Sequence, residues 1–350
     1  MKARIARGMV TTRPASSGTE NAYGWPFEFE RIPNDEWASR TIHESALKYD
    51  EHRSTAIGQS LEPTVAQILT VLDETKIFVD YSCGTGLLTE RILANYSSNT
   101  RILNADVSKK YLNIALNKFR NDQRVAVRLL KRLHVESGFQ SIRDVLDDAL
   151  IKRGVDILTS TNAIHLYPDV AAIAESWNRI LRPGGLALIN TGDMSNTARK
   201  VADWRLHDTV ENVNQLARDA IKDESRFEKY RDSVADADLM RSYAQLRNSF
   251  YPPVRPVDFY LDSLSSAGLS ALHAFELSIP ISRSDLAATL IPYHDVVLGW
   301  VGGSTKVEGE APSHACLRDR LFLIRYCVQK LYGEREFFLA PWTYITCKKG

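Results

Sequence analysis

The chain has almost no net charge: 44 Lys and Arg stand against 43 Asp and Glu in 350 residues. So balanced a chain lacks the basic footprint that nucleic-acid binding leaves, and no nucleic-acid partner is expected. Long apolar runs are missing as well. No stretch reaches the roughly 20 residues that cross a bilayer, so no membrane partner is expected either. Cysteine is scarce, and Cys83, Cys316, Cys327 and Cys347 are scattered without a Cys-x-x-Cys pair or a histidine at zinc spacing. That pattern predicts free thiols in a reducing, cytoplasmic setting and no metal site. Acids are absent from the start of the chain, where Lys2, Arg4, Arg7 and Arg13 precede the first acid, Glu20. No amphipathic run accompanies them, so the segment reads as a loose terminus rather than a targeting peptide. Repeats and low-complexity tracts are missing too.

What is present is organised around Val79-Asp80-Tyr81-Ser82-Cys83-Gly84-Thr85-Gly86-Leu87-Leu88. A β-favouring run, Lys76 to Val79, leads into it, and a helical pattern through Leu88, Ile92 and Leu93 follows. Strand, glycine turn and helix are thereby joined. Gly84 and Gly86 remove side chains that would keep a ligand off the backbone, and they tolerate positive φ. The helix start offers free N–H groups and a positive dipole end to an anionic ligand. A dinucleotide site would want a third glycine where Thr89 stands, which discounts it.

The stretch resembles motif I of the class I S-adenosylmethionine-dependent methyltransferases, Asp-x-Gly-x-Gly-x-Gly. Asp80, Gly84 and Gly86 match, and Ser82 replaces the first glycine. A second strand, Arg101 to Asp106, ends in a carboxylate able to accept from both ribose hydroxyls. A third strand, Val125 to Leu130, is followed by Lys131-Arg132-Leu133-His134, where the family often has an acid near the adenine. A helix is predicted from Gln140 to Lys152, then a fourth strand, Val155 to Ser160, and Thr161-Asn162-Ala163-Ile164-His165. A helix with Val170, Ile173, Ala174, Trp177 and Leu181 runs into Arg182-Pro183-Gly184-Gly185 and a fifth strand, Leu186 to Asn190. This order is similar to small-molecule methyltransferases and covers about Tyr49 to Asp193. The resemblance implies S-adenosylmethionine as cofactor, held by Tyr49, Asp80, Ser82, Cys83, Gly84, Gly86, Leu87, Asp106, Val107 and Thr161.

The expected fold is α/β: a Rossmann-like, seven-stranded, doubly wound sheet, last strand antiparallel, with helical cap insertions. Residues 1–34 read as a tail, and 35–193 as lid helices, including one from Trp37 to Asp50, plus the cofactor-binding core. Residues 194–255 form a helical insertion, 256–280 and 337–350 complete the sheet, and 281–336 form a cap. In that cap Leu286, Leu290, Tyr293, Val297 and Trp300 recur at helical spacing. The rival reading of these insertions is extra packing or a homodimer surface.

His165, just past the fourth strand, is a candidate base because histidine titrates near neutral pH. His294 on the cap is the other, and Asn162, Tyr293 and Trp300 are candidate acceptor contacts. The predicted activity is O- or C-methylation of a small, apolar or aromatic molecule. RNA or protein methylation is the alternative, although an Asn-Pro-Pro-Tyr motif is absent, as is a noncatalytic binding protein of the same fold.

Overall fold

The computed structural model of the chain describes residues 24–26, 29–39, 55–73, 76–96, 100–133, 138–196, 205–302 and 312–350. Its main sheet contains β1 (Ile77–Tyr81), β2 (Arg101–Asp106), β3 (Val125–Leu129), β4 (Val155–Thr161), β5 (Leu181–Thr191), β6 (Leu269–Ser282) and β7 (Phe337–Lys349). The spatial order is β3-β2-β1-β4-β5-β7-β6, with β7 antiparallel to both neighbours and the rest parallel. The chain therefore leaves β1 in one direction and returns through β4 on its other side. The carboxyl ends of these two strands flank the reversal of strand order, the crevice where such folds place ligands.

Burial on both faces explains why β1 and β2 lack polar–apolar alternation: every residue of each is buried. Phe78, Ile102, Ile157 and Leu188 face one helical layer, where Val65 and Ile68 of α1 (Glu62–Val71) and Ile92 of α2 (Leu87–Asn95) pack. Val79, Leu103, Leu158 and Ile189 face the opposite layer, which contains Trp177 of α5 (Val170–Ile180) and Tyr260. Each large side chain so buried contributes about 1.5–3 kcal/mol. Between them in sequence lie α3 (Lys109–Phe119), capped by Ser108, and the short α4 (Asp148–Arg153).

The free edge of β3 is covered. Val127 N–H donates to Arg31 carbonyl oxygen at 3.0 Å, and the Arg31 guanidinium reaches the Val125 carbonyl at 2.6 Å. With Trp25 and Phe29 buried beside it, this leading segment packs as part of the core rather than hanging as a tail.

The two inserted segments pack as one helical unit, named the cap below. Its helices are α6 (Leu206–Asp223), α7 (Ala237–Phe250), α9 (Arg283–Leu290), α10 (His294–Leu298) and α11 (His314–Tyr332); α8 (Val257–Ser266) belongs to the sheet layers. Val213, Ile221, Tyr243, Leu286, Val297, Trp300 and Ile324 share a single hydrophobic core. That core extends onto Ile279, Ile281, Ala340 and Trp342, because β6 and β7 continue past the end of β5 as a two-stranded arm. Polar ties also run through its interior. Trp300 Nε1 donates to Asn214 Oδ1 at 2.8 Å, and the buried Arg320 guanidinium donates to the carbonyls of Gly299 and Val301 at 2.8 Å each while pairing with Asp295.

Some expected elements differ. The helix predicted over Gln140–Lys152 is two pieces, a 3-10 turn at Ile142–Val145 and α4, parted by extended Leu146 and Asp147. The stripe from Leu286 to Trp300 is likewise broken, since Pro292 interrupts it with a 3-10 turn at Ile291–Tyr293. Of the helix expected over Trp37–Asp50 one turn, Glu36–Ser39, is described, and residues 40–50, with Tyr49, lie outside the described residues.

Candidate functional site

The turn after β1 is held in a conformation suited to glycine. Ser82, Gly84 and Gly86 have φ of 59°, 56° and 79°. Gly86 is the N-cap of α2 and supplies no side-chain cap, so first-turn N–H groups lack that partner. A Cβ on Gly86 would lie 2.6 Å from Phe119 Cε2, which shows how closely α3 approaches the turn.

Asp106 ends β2 beside this turn. Its Oδ2 accepts Gly84 N–H at 2.8 Å and its Oδ1 accepts Ser108 N–H at 2.7 Å. Burial pushes its pKa up, and the backbone N–H groups pull it back. A carboxylate has about four acceptor sites, and with the N–H groups of Gly84, Ser108 and Val107 against it, acceptor capacity is left for a hydroxyl. The residues therefore fit S-adenosylmethionine: uncapped N–H donors for its carboxylate and Asp106 for its ribose.

Asp80 is placed differently from the expectation. It has no exposed surface, and its oxygens are taken by Thr159 Oγ1 at 3.1 Å and Thr89 Oγ1 at 3.2 Å. It supports the turn from beneath and does not face the crevice. Cys83 and Leu87 are buried in the turn, Val107 is half-buried, and Thr161 ends β4 in register with Asn190.

Across the crevice, Asn162 follows β4 with φ of 53°. Its Nδ2 donates to Ser60 Oγ at 3.0 Å, and its Oδ1 accepts Trp342 Nε1–H at 2.7 Å, so its side chain is committed to protein partners. His165 stands nearby. Its Nδ1 is 2.8 Å from Thr191 Oγ1, and its Nε2 is 3.6 Å from Asp193 Oδ2. Burial lowers its pKa, the Asp193 carboxylate raises it, and the Arg255 guanidinium lowers it. Arg255 donates to the carbonyls of His165 and Tyr167, both at 3.1 Å, and so holds this loop in place.

Of the cap candidates, Tyr293 reaches the core: its hydroxyl is 3.1 Å from that of Tyr111, in the first turn of α3 next to Asp106. His294 Nδ1 lies 3.1 Å from Asp295 Oδ1, and Asp295 is paired with Arg320 inside the cap. The strand ends thus carry His165, and His294 lies beside the Asp295–Arg320 pair inside the cap. Trp300 is fully buried and bonded to Asn214, so it packs the cap interior and offers a ligand no face.

Sequence reasoning passed over Thr191, Asp193, Tyr167 and Arg255. Tyr167 hydroxyl lies 2.9 Å from Ser82 Oγ and 2.7 Å from Ser160 Oγ, joining the ends of β1 and β4. Burial raises the Tyr251 phenol, with Tyr243, Tyr111 and Asp193 adding to the effect, which puts it between cap and strand ends. Thr191-Gly192-Asp193 could have been found, since it ends a strand on the same edge of the sheet. Among the described residues no His, Cys, Asp or Glu cluster could hold a metal, and no helix is long and apolar enough to cross a membrane.

A family sequence model described as a methyltransferase domain matches residues 79–187. No curated protein matches the chain. Among solved structures it is similar to a Haemonchus contortus phosphoethanolamine N-methyltransferase 2, at 12% identity over 93% of this chain and 62% of that one, TM-score 0.48. It is also similar to the YcgJ protein of Bacillus subtilis, at 14% identity over 84% and 97%, TM-score 0.44. A Streptomyces coelicolor geranyl diphosphate C-methyltransferase gives 13% identity over 83% and 76%, TM-score 0.41. Residues 79–187 thus carry a methyltransferase domain, with motif I, Asp106 and the order of the strands inside or beside the matched span.

Proposed function

We propose that the protein methylates a small, largely apolar or aromatic molecule on oxygen or carbon, within a pocket roofed by the insertions 194–255 and 281–336. The observation that supports this reading is the docking of the cap onto the strand ends. Tyr293 meets Tyr111, Trp342 of the arm meets Asn162, and Asp193 Oδ1 accepts the N–H of Leu206, the first residue of α6, at 3.0 Å. A roof tied down at three places suits an acceptor it can enclose.

Gly84, Gly86 and the start of α2 would hold the methionine carboxylate, and Asp106 the ribose. Bound there, the cofactor supplies an electrophilic methyl group. The protein's share is then alignment, worth ~7–11 kcal/mol in well-oriented systems. Where the acceptor atom carries a proton, His165 is the group that takes it, a contribution of roughly 100- to 10,000-fold. Tyr293 and Tyr251 shape the acceptor side.

Incubation with methyl-labelled S-adenosylmethionine and a cell extract, split into macromolecular and small-molecule fractions, tests the reading. Label in the small-molecule fraction supports it, and label confined to RNA or protein overturns it.

A further inference from the structure

Thr191 and Asp193 flank Gly192 at the end of β5 and face the two nitrogens of one imidazole. Thr191 Oγ1 is 2.8 Å from His165 Nδ1 and accepts Asp193 N–H at 3.2 Å. Asp193 is buried; its Oδ1 is occupied by Leu206 N–H, and its Oδ2 is aimed at Nε2 from 3.6 Å. That last distance is too long for a hydrogen bond and short enough for a strong charge interaction. The other charged group against this loop is Arg255, whose guanidinium is engaged with the carbonyls of His165 and Tyr167.

Two tautomers are conceivable, and they differ in use. With the proton on Nε2, Thr191 donates to Nδ1, and neither nitrogen keeps a lone pair for an acceptor. With the proton on Nδ1, Thr191 Oγ1 accepts from it as well as from Asp193 N–H, and the Nε2 lone pair stays uncommitted. We propose that Thr191 and Asp193 are positioning residues for His165, Thr191 fixing the proton on Nδ1 and Asp193 holding the charge formed when Nε2 is protonated. The acceptor's X–H bond then breaks with its electron pair left on X, and the proton passes to Nε2. The resulting imidazolium is balanced by a carboxylate that the first turn of α6 keeps in place. A helix of the cap is in this way wired to the proton acceptor.

The proposal rests on His165 as the proton acceptor of the function above, but its test needs no turnover. Protein labelled with 15N-histidine is followed by long-range 1H–15N spectra across pH 5–9, the His165 signals being assigned by their loss in His165→Gln. The neutral ring is expected to carry its proton on Nδ1. Asp193→Asn keeps an oxygen for Leu206 N–H, and in it the His165 pKa is expected to fall by about one unit or more. Should that variant fail to fold, Thr191→Val serves, and a mixture of tautomers is expected there. A neutral ring protonated on Nε2 in the wild type, an unmoved pKa in Asp193→Asn, or an unchanged tautomer in Thr191→Val overturns the proposal. Failure of the base reading shows separately, as full turnover in His165→Gln.

Discussion

Asp80→Asn is expected to make the protein more stable above pH 7 and to leave it nearly unchanged near pH 4. Asp80 has no exposed surface and receives two threonine hydroxyls, yet burial outweighs them and its pKa is pushed up to about 7 from an ordinary 3.8. One of those hydroxyls is shared. Thr89 Oγ1 is 2.6 Å from Asn104 Oδ1 and 3.2 Å from Asp80 Oδ2, so its single proton serves the carboxylate poorly. The Asp106 carboxylate nearby adds to the shift. A rise from 3.8 to about 7 is a little over three units, or about 4 kcal/mol at most at 1.36 kcal/mol per unit. Between these two pH values the folded chain keeps a proton that the unfolded chain has released. Stability therefore falls as pH rises through this window and levels off above it. Asparagine has the shape of the protonated acid and no charge to bury, so the dependence disappears with it. Comparing thermal midpoints of wild type and variant at pH 5 and pH 8 cancels His165 and every other shared group. The difference is expected to open by several degrees at pH 8. Parallel curves for the two proteins would show that Asp80 stays ionised in the fold, and the reasoning would fail.

Asp106→Ala orphans the N–H groups of Gly84 and Ser108 and removes the ribose acceptor, so S-adenosylhomocysteine affinity by calorimetry is expected to drop about 10- to 100-fold. Gly86→Ala combines a φ of 79° with a Cβ 2.6 Å from Phe119 Cε2, and urea unfolding is expected to show a loss of about 2–4 kcal/mol from strain and overpacking. Trp300→Ala empties the cap core and unpairs Asn214, costing about 3–5 kcal/mol. Because Trp300 faces no ligand, its S-adenosylhomocysteine affinity is expected to stay within about twofold of wild type in the folded fraction.

The parts of the molecule readable from sequence are those set by local chemistry. Apolar runs without alternation announced β1, β2 and β4, and Gly84, Gly86 and Asp106 announced the tight strand–helix turn and the strand end beside it, because backbone conformation dictates them. Pairings across long sequence separations were invisible. Nothing local tells that Asp193 faces His165, that Tyr293 meets Tyr111, or that Trp342 donates to Asn162 from 180 positions away. Periodicity misled where burial was complete. Trp300 and Tyr243 sit at helical spacing like any pocket lining, yet both are enclosed, because the two insertions bury their stripes against each other. The helix predicted over Gln140–Lys152 failed because Leu146 and Asp147 are extended and part its two pieces, the Asp147 carboxylate pairing with Arg128 and not with the first turn of α4.

Strain in this fold is concentrated just past the ends of β1 and β4. Among the described residues, the non-glycine positions with positive φ are Ser82 and Asn162. They end β1 and β4, the two strands that border the crevice at the reversal of strand order. A left-handed L-residue costs about 1–2 kcal/mol, less for asparagine, and survives only when its surroundings over-determine it. Both are over-determined. Ser82 Oγ meets the Tyr167 hydroxyl, which is also anchored by Ser160, and Asn162 is held by Ser60, Trp342 and, through its N–H, the Asn190 carbonyl. The energy that keeps these turns bent is thus supplied by elements outside the crevice: α5's leading loop, the segment before α1, and the arm of β7. A cofactor bound between the turns, as proposed, would meet them already shaped, and its binding energy would not be spent on ordering them.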